Sequence, residues 1–83
     1  MYYLIMCRSL TYAQRVAGTL ERAGIPARIL RSPAEISPMG CSYSVRIGER
    51  HLSRTLTVLA QKKLPHKGIY VGRRGVGFQE VEL

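Results

Sequence analysis

Two stretches of apolar residues at three- and four-residue spacing, each set between short strand-like runs, do most to narrow the folds open to this chain. Ala13, Val16, Ala17, Leu20 and Ala23 form the first, and Gly24 followed by Ile25-Pro26 supplies its stop. Leu52, Leu56, Leu59 and Ala60 form the second, which ends before Pro65 because proline cannot continue a helix. Ser9 or Thr11 offers a cap for the first, with Gln14 three positions after Thr11 as a capping-box partner, so that helix is predicted over about 11–23.

Strands fill the intervals. Residues 2–7 are a short apolar run, and residues 27–31 make a second strand. Residues 32–40 read as a turn-rich loop with two prolines and a glycine. Residues 41–47 then alternate Tyr43, Val45 and Ile47 with Ser42, Ser44 and Arg46, the mark of a strand with one buried and one wet face. Residues 68–71 start a fourth strand, residues 72–77 turn, and residues 78–83 add a short fifth strand. The order βαββαβ with a C-terminal extension predicts an α+β, ferredoxin-like sandwich: two helices on one face of a mostly antiparallel sheet. No linker or repeat points to a second domain, so residues 1–83 are read as one, with a core over about 2–71 and an extension over about 72–83.

At 83 residues the core is small, so chemistry is expected on a surface or at an interface. Tyr2, Leu4 and Met6 are expected to leave an apolar stripe on the open face of the sheet, which makes a homodimer an open expectation. No stretch approaches the roughly 18 apolar residues of a membrane span, and no basic region precedes the apolar start, so a cytoplasmic chain without a membrane partner is expected.

Thirteen Lys plus Arg against five Glu give a formal net charge of +8, which favours anionic partners without naming one. In the predicted topology Arg31, Lys62, Lys63, His66 and Lys67 collect at one edge, and Arg73-Arg74 sits at a hairpin tip where a phosphate or a partner could be met. Arg46, Arg50, His51 and Arg54 gather at the opposite edge, most simply as a solvated basic face. No Gly-rich phosphate loop, hydrolytic triad or metal-ligand spacing is present, and two distant cysteines form no CxxC pair, so neither an independent enzyme nor a metal or other resident cofactor is expected.

Nucleic acid is a competing partner class. Arg74-Gly75-Val76-Gly77-Phe78 echoes the Arg-Gly-Phe-Gly-Phe signature of RNA-recognition motifs, which share the βαββαβ order. That signature belongs on the third strand, whereas here it lies near the C-terminus with Val76 in place of a stacking aromatic. The third strand offers Ser42, Ser44 and Arg46 on its open side, so RNA is not the favoured partner.

The Pro/Gly turn delivers Cys41 to the predicted start of the third strand, beside the end of the first strand with Cys7. Two readings of Cys41 stay open from the residues alone. Cations and a helix N-terminus at that edge favour the thiolate, the form that accepts a transferred sulfur or selenium atom. Free cysteine is also among the most buried residue types, and strand parity turns Cys41 towards the helices. For Cys7 core filling leads, with a resolving-thiol role as the lesser reading.

Ser9, Ala13, Leu20, Ala23-Gly24-Ile25-Pro26, Pro33, Ile36-Ser37, Gly40-Cys41 and Tyr43 together resemble a family of small bacterial selenium and sulfur (Se/S) carrier-like proteins of unestablished function, over roughly residues 2–71. The resemblance implies a carrier, not an enzyme: Cys41 would hold a transient covalent sulfur or selenium atom as a persulfide or selenopersulfide, exchanged with donor and acceptor proteins. Gly40 would let a partner approach the backbone, and Pro33, Ile36, Ser37 and Ser42 would belong to the docking surface. Gly-Cys-Ser stands here where family members often show Cys-Gly or Gly-Cys-Gly. The alternative is a basic binding module for RNA, another anion or a partner protein, with Cys41 structural.

Overall fold

Ser9 adopts an extended backbone and its hydroxyl accepts the Tyr12 amide at 3.4 Å, so the first helix, α1, runs Leu10–Arg22, starting one residue before the predicted position. At the other end Gly24 takes a positive φ of 83°, and the Gly24 and Ile25 amides donate to Glu21 and Leu20 carbonyls at 3.0 and 2.9 Å. This satisfies two otherwise orphaned carbonyls and sends the chain back towards the sheet. The structure, a computed structural model, describes residues 1–37, 42–73, 75 and 77–81.

The elements follow in the order β1 (Tyr2–Cys7), α1, β2 (Arg28–Arg31), β3 (Tyr43–Gly48), a 3-10 turn over Glu49–His51, α2 (Leu52–Gln61), β4 (Gly68–Arg73) and β5 (Gly77–Glu80). The fold is α+β: two helices and one five-stranded sheet in the order β2-β3-β1-β4-β5, antiparallel at every pairing. β1 is central, with Ile5 opposite Val45 on one side and Ile69 on the other. Those three side chains, with Cys7 and Ile47, pack against Ala13, Val16, Ala17 and Leu20 of α1 and Leu59 of α2 to form the core. Arg54 of α2 donates to the Ala23 carbonyl at 2.6 Å, tying α2 to the end of α1.

Three expectations are corrected. β3 begins at Tyr43 and not at Cys41; Ser42, just before it, donates its hydroxyl to Ser37 of the preceding loop and accepts the Ser32 amide on its carbonyl at 3.1 Å. β4 continues past Val71 to Arg73, so the hairpin turn is shorter than predicted and β5 starts at Gly77. Leu4 and Met6 do not form an exposed stripe: Leu4 is fully buried and Met6 is 7% exposed, although both lie on the side of the sheet away from the helices. Leu4 is flanked in register by Arg46 and Tyr70 on the neighbouring strands.

The extension of β4 has a specific cause. A Cβ at Gly72 would lie 2.7 Å from Tyr2 Cζ and 2.9 Å from Phe78 Cε1, so the two rings occupy the space that a side chain would need. They meet edge to face at 6.2 Å between centroids, and the Arg46 guanidinium lies 4.1 Å above the Tyr2 ring. Gly72→Ala should therefore displace a ring pair held from three strands and cost about 1–3 kcal/mol, the usual range for overpacking. Gly48→Ala, whose Cβ would meet only the His51 ring at 3.6 Å, is the comparison. Equal thermal stabilities for the two variants would contradict this packing account.

Candidate functional site

The loop between β2 and β3 is fastened at its base by serines. The Ser32 and Ser44 hydroxyls are 2.7 Å apart, and the Ser42 hydroxyl donates to the Ser37 hydroxyl at 2.7 Å. All four residues are buried. Within the loop the Ile36 and Ser37 amides both donate to the Pro33 carbonyl, at 3.1 and 3.0 Å, giving a tight turn over residues 33–37. Of the partner-binding residues expected from the sequence, Ser37 and Ser42 therefore clip the loop to itself, whereas Pro33 and Ile36 are part-exposed. Cys41 and Gly40 lie outside the described residues.

Cys7 sits opposite Tyr43 at the end of β1 and faces the core, with no solvent exposure and its sulfur 3.7 Å from the Ile5 carbonyl. Burial pushes its thiol from an ordinary 9.0 to about 11, since the apolar surroundings penalise the thiolate. At neutral pH its thiolate fraction is then on the order of one in ten thousand, too small for rapid exchange without exposure of the side chain.

The basic residues expected to share one edge are divided by the structure. Lys67 lines a cleft with Arg8, Tyr12, Pro65 and His66 at the end of β1. Lys62 instead lines a groove with Thr19, Arg22 and Val58, between the two helices. Lys63 is exposed with a positive φ of 51° in the turn after α2. The Arg31 guanidinium lies 5.9 Å from the Tyr43 ring centroid at the start of β3. Arg73 is the exposed last residue of β4, so it belongs to a strand end and not to the hairpin tip, and Arg74 lies outside the described residues.

Sequence reasoning missed the two features that involve aromatic rings. On the open side of the sheet Tyr2, expected there from the sequence, is joined by Tyr70 of β4 and Phe78 of β5, which were not expected there, and β3 adds no aromatic. Arg8 and Tyr12, which precede and begin α1, were also overlooked as cleft residues. Among the described residues there is no group of three or more His, Cys, Asp or Glu side chains that could hold a metal ion, and no helix is long and apolar enough to cross a membrane.

Residues 2–71 match the family model described as "Putative Se/S carrier protein-like". No curated protein and no solved structure matches the chain.

Proposed function

From a chain that belongs to the Se/S carrier protein-like family over residues 2–71, we propose a protein that holds sulfur or selenium on the Cys41 thiol as a persulfide or selenopersulfide and passes it to a partner. The observation that supports Cys41 over Cys7 is the burial of Cys7, whose thiol is held at about 11 and stays protonated at neutral pH. Cys41 falls inside the matched span and is the other cysteine of the chain.

The transfer balances without an added oxidant. The Cys41 thiolate attacks the outer sulfur of a donor persulfide, the donor's sulfur–sulfur bond breaks, and the donor leaves as a thiolate that takes up a proton. An acceptor thiolate then attacks the atom carried on Cys41 and regenerates the Cys41 thiolate. With selenium as the outer atom, a sulfur–selenium bond breaks in the donor and a sulfur–selenium bond forms on Cys41, with the same leaving thiolate. Donor and acceptor proteins would dock on the part-exposed Pro33 and Ile36 of the serine-clipped loop, and a reducing cytoplasm would keep both thiols free.

We read the strand order β2-β3-β1-β4 as the ferredoxin-like frame with β5 added at its edge. That frame hosts many functions, so the site and not the fold carries the proposal. The test is alkylation followed across pH, with the two cysteine peptides resolved by mass spectrometry. Cys41 should react at neutral pH with an apparent pKa below the roughly 8.5 of a free cysteine, and Cys7 only when the chain unfolds. A Cys41 as slow as Cys7 would contradict the carrier and favour a basic binding module with both cysteines structural.

A further inference from the structure

We propose that the cleft lined by Arg8, Tyr12, Pro65, His66 and Lys67 binds a phosphate group carried by a small molecule. The site makes no use of Cys41 and stands or falls separately from the carrier reading. Its walls come from two parts of the chain that one backbone hydrogen bond holds together: the Lys67 amide donates to the Met6 carbonyl at 2.7 Å. This pins the segment after α2 against the end of β1, two residues before Arg8.

The Arg8 guanidinium lies beside an aromatic ring. Tyr12, in the first turn of α1, has the Arg8 guanidinium 5.8 Å from its ring centroid and that of Arg15 at 5.6 Å. Nδ1 of His66 lies 3.3 Å from the Leu64 carbonyl. A carbonyl only accepts, so this contact is a hydrogen bond in the tautomer that carries its hydrogen on Nδ1.

Charge then selects the ligand. Among the described residues no carboxylate lines the cleft, and α1 has no acidic residue in its first turn. Arg8 offers a planar fork that can meet two oxygens of one phosphate, and Lys67 offers a compact ammonium. The positive end of the α1 dipole adds to the same field.

Size argues for a small ligand and against a polymer. The cleft is about 190 Å³, below the roughly 300–1,000 Å³ of pockets that enclose drug-sized molecules. A single-stranded nucleic acid needs a groove that follows several phosphates and rings free to stack on bases. Here two rings line the cleft, Tyr12 and His66, and Tyr12 already has the Arg8 and Arg15 guanidiniums 5.8 and 5.6 Å from its centroid.

The test is titration of the whole chain with inorganic phosphate, against sodium chloride at matched ionic strength, followed by amide proton–nitrogen correlation spectra. Saturable shifts are expected at Arg8, Tyr12 and Lys67. Affinity should fall at least about tenfold in the Arg8→Gln, Lys67→Gln double variant, since each change removes a charge-assisted hydrogen bond. Arg50→Gln, on the 3-10 turn at the other end of β3, should bind like the wild type. Shifts that never saturate, or that persist unchanged in the double variant, would overturn the proposal. So would a single-stranded oligonucleotide that moves these amides when inorganic phosphate does not.

Discussion

Ile5→Ala is expected to cost about 2–5 kcal/mol and to lower the unfolding midpoint markedly. Ile5 is fully buried in the central strand, opposite Val45 and Ile69, which are 0% and 2% exposed. Removing its side chain leaves a void that both neighbouring strands and α1 border, and close-packed interiors collapse only partly into such a void. A chain of this size has a total stability of about 4–12 kcal/mol, so this single change takes a large share of it. Leu10→Ala is the control: Leu10 is 42% exposed, and its truncation should stay within about 0.5 kcal/mol. Urea unfolding followed by circular dichroism decides, and equal midpoints for the two variants would mean that β1 is not the core strand.

Stability should also fall steeply between about pH 9 and pH 11, and Cys7 should be a main cause. The folded-state thiol is raised to about 11 from 9.0, so its contribution is complete below pH 9 and is lost as pH rises through the folded value. Above pH 9 the unfolded chain gains a thiolate that the folded chain resists, which amounts to about 2–3 kcal/mol across the window. The informative quantity is the difference between wild type and Cys7→Ala. The gap in unfolding free energy between them should be constant up to about pH 9 and then shrink. A gap that is flat to pH 11 would place the Cys7 thiol in water and contradict its burial. It would also revive Cys7 as an exchanging thiol.

Much of this architecture can be read from the chain because local signals and burial agree. Ala13, Val16, Ala17 and Leu20 mark the buried face of α1 by spacing alone, and Gly24 ends the helix as its sequence context predicts. The choice between Ser9 and Thr11 as cap could not be made from sequence, since both hydroxyls stand near a helix start. Ser9 takes the role because its backbone is extended and its hydroxyl reaches the Tyr12 amide.

Distant contacts account for the rest. Gly72 reads as a turn residue beside Arg73 and Gly75, yet it is in β4 because Tyr2, seventy positions away in the chain, fills its missing side chain together with Phe78. The Arg8–Lys67 cleft depends on the pairing of β1 with β4 and on the bond between Lys67 and Met6. The βαββαβ order already places those strands side by side. What it does not reveal is that Tyr12 turns into the same space, or that Lys62 and Lys67, five residues apart, face different hollows. Around the candidate thiol, the serine pairs that clip the loop have no sequence signature beyond polar residues near prolines.

The most direct test of the carrier account is loading itself. The wild type, Cys7→Ala and Cys41→Ser are incubated with a small-molecule persulfide donor, unbound donor is removed, and the cysteine peptides are mapped by mass spectrometry after trapping of the outer sulfur. One added sulfur on the Cys41 peptide of both the wild type and Cys7→Ala, with none on a folded Cys41→Ser, is the predicted result. Loading that persists in Cys41→Ser, or a wild type that takes up no sulfur on Cys41 while remaining folded, would contradict it.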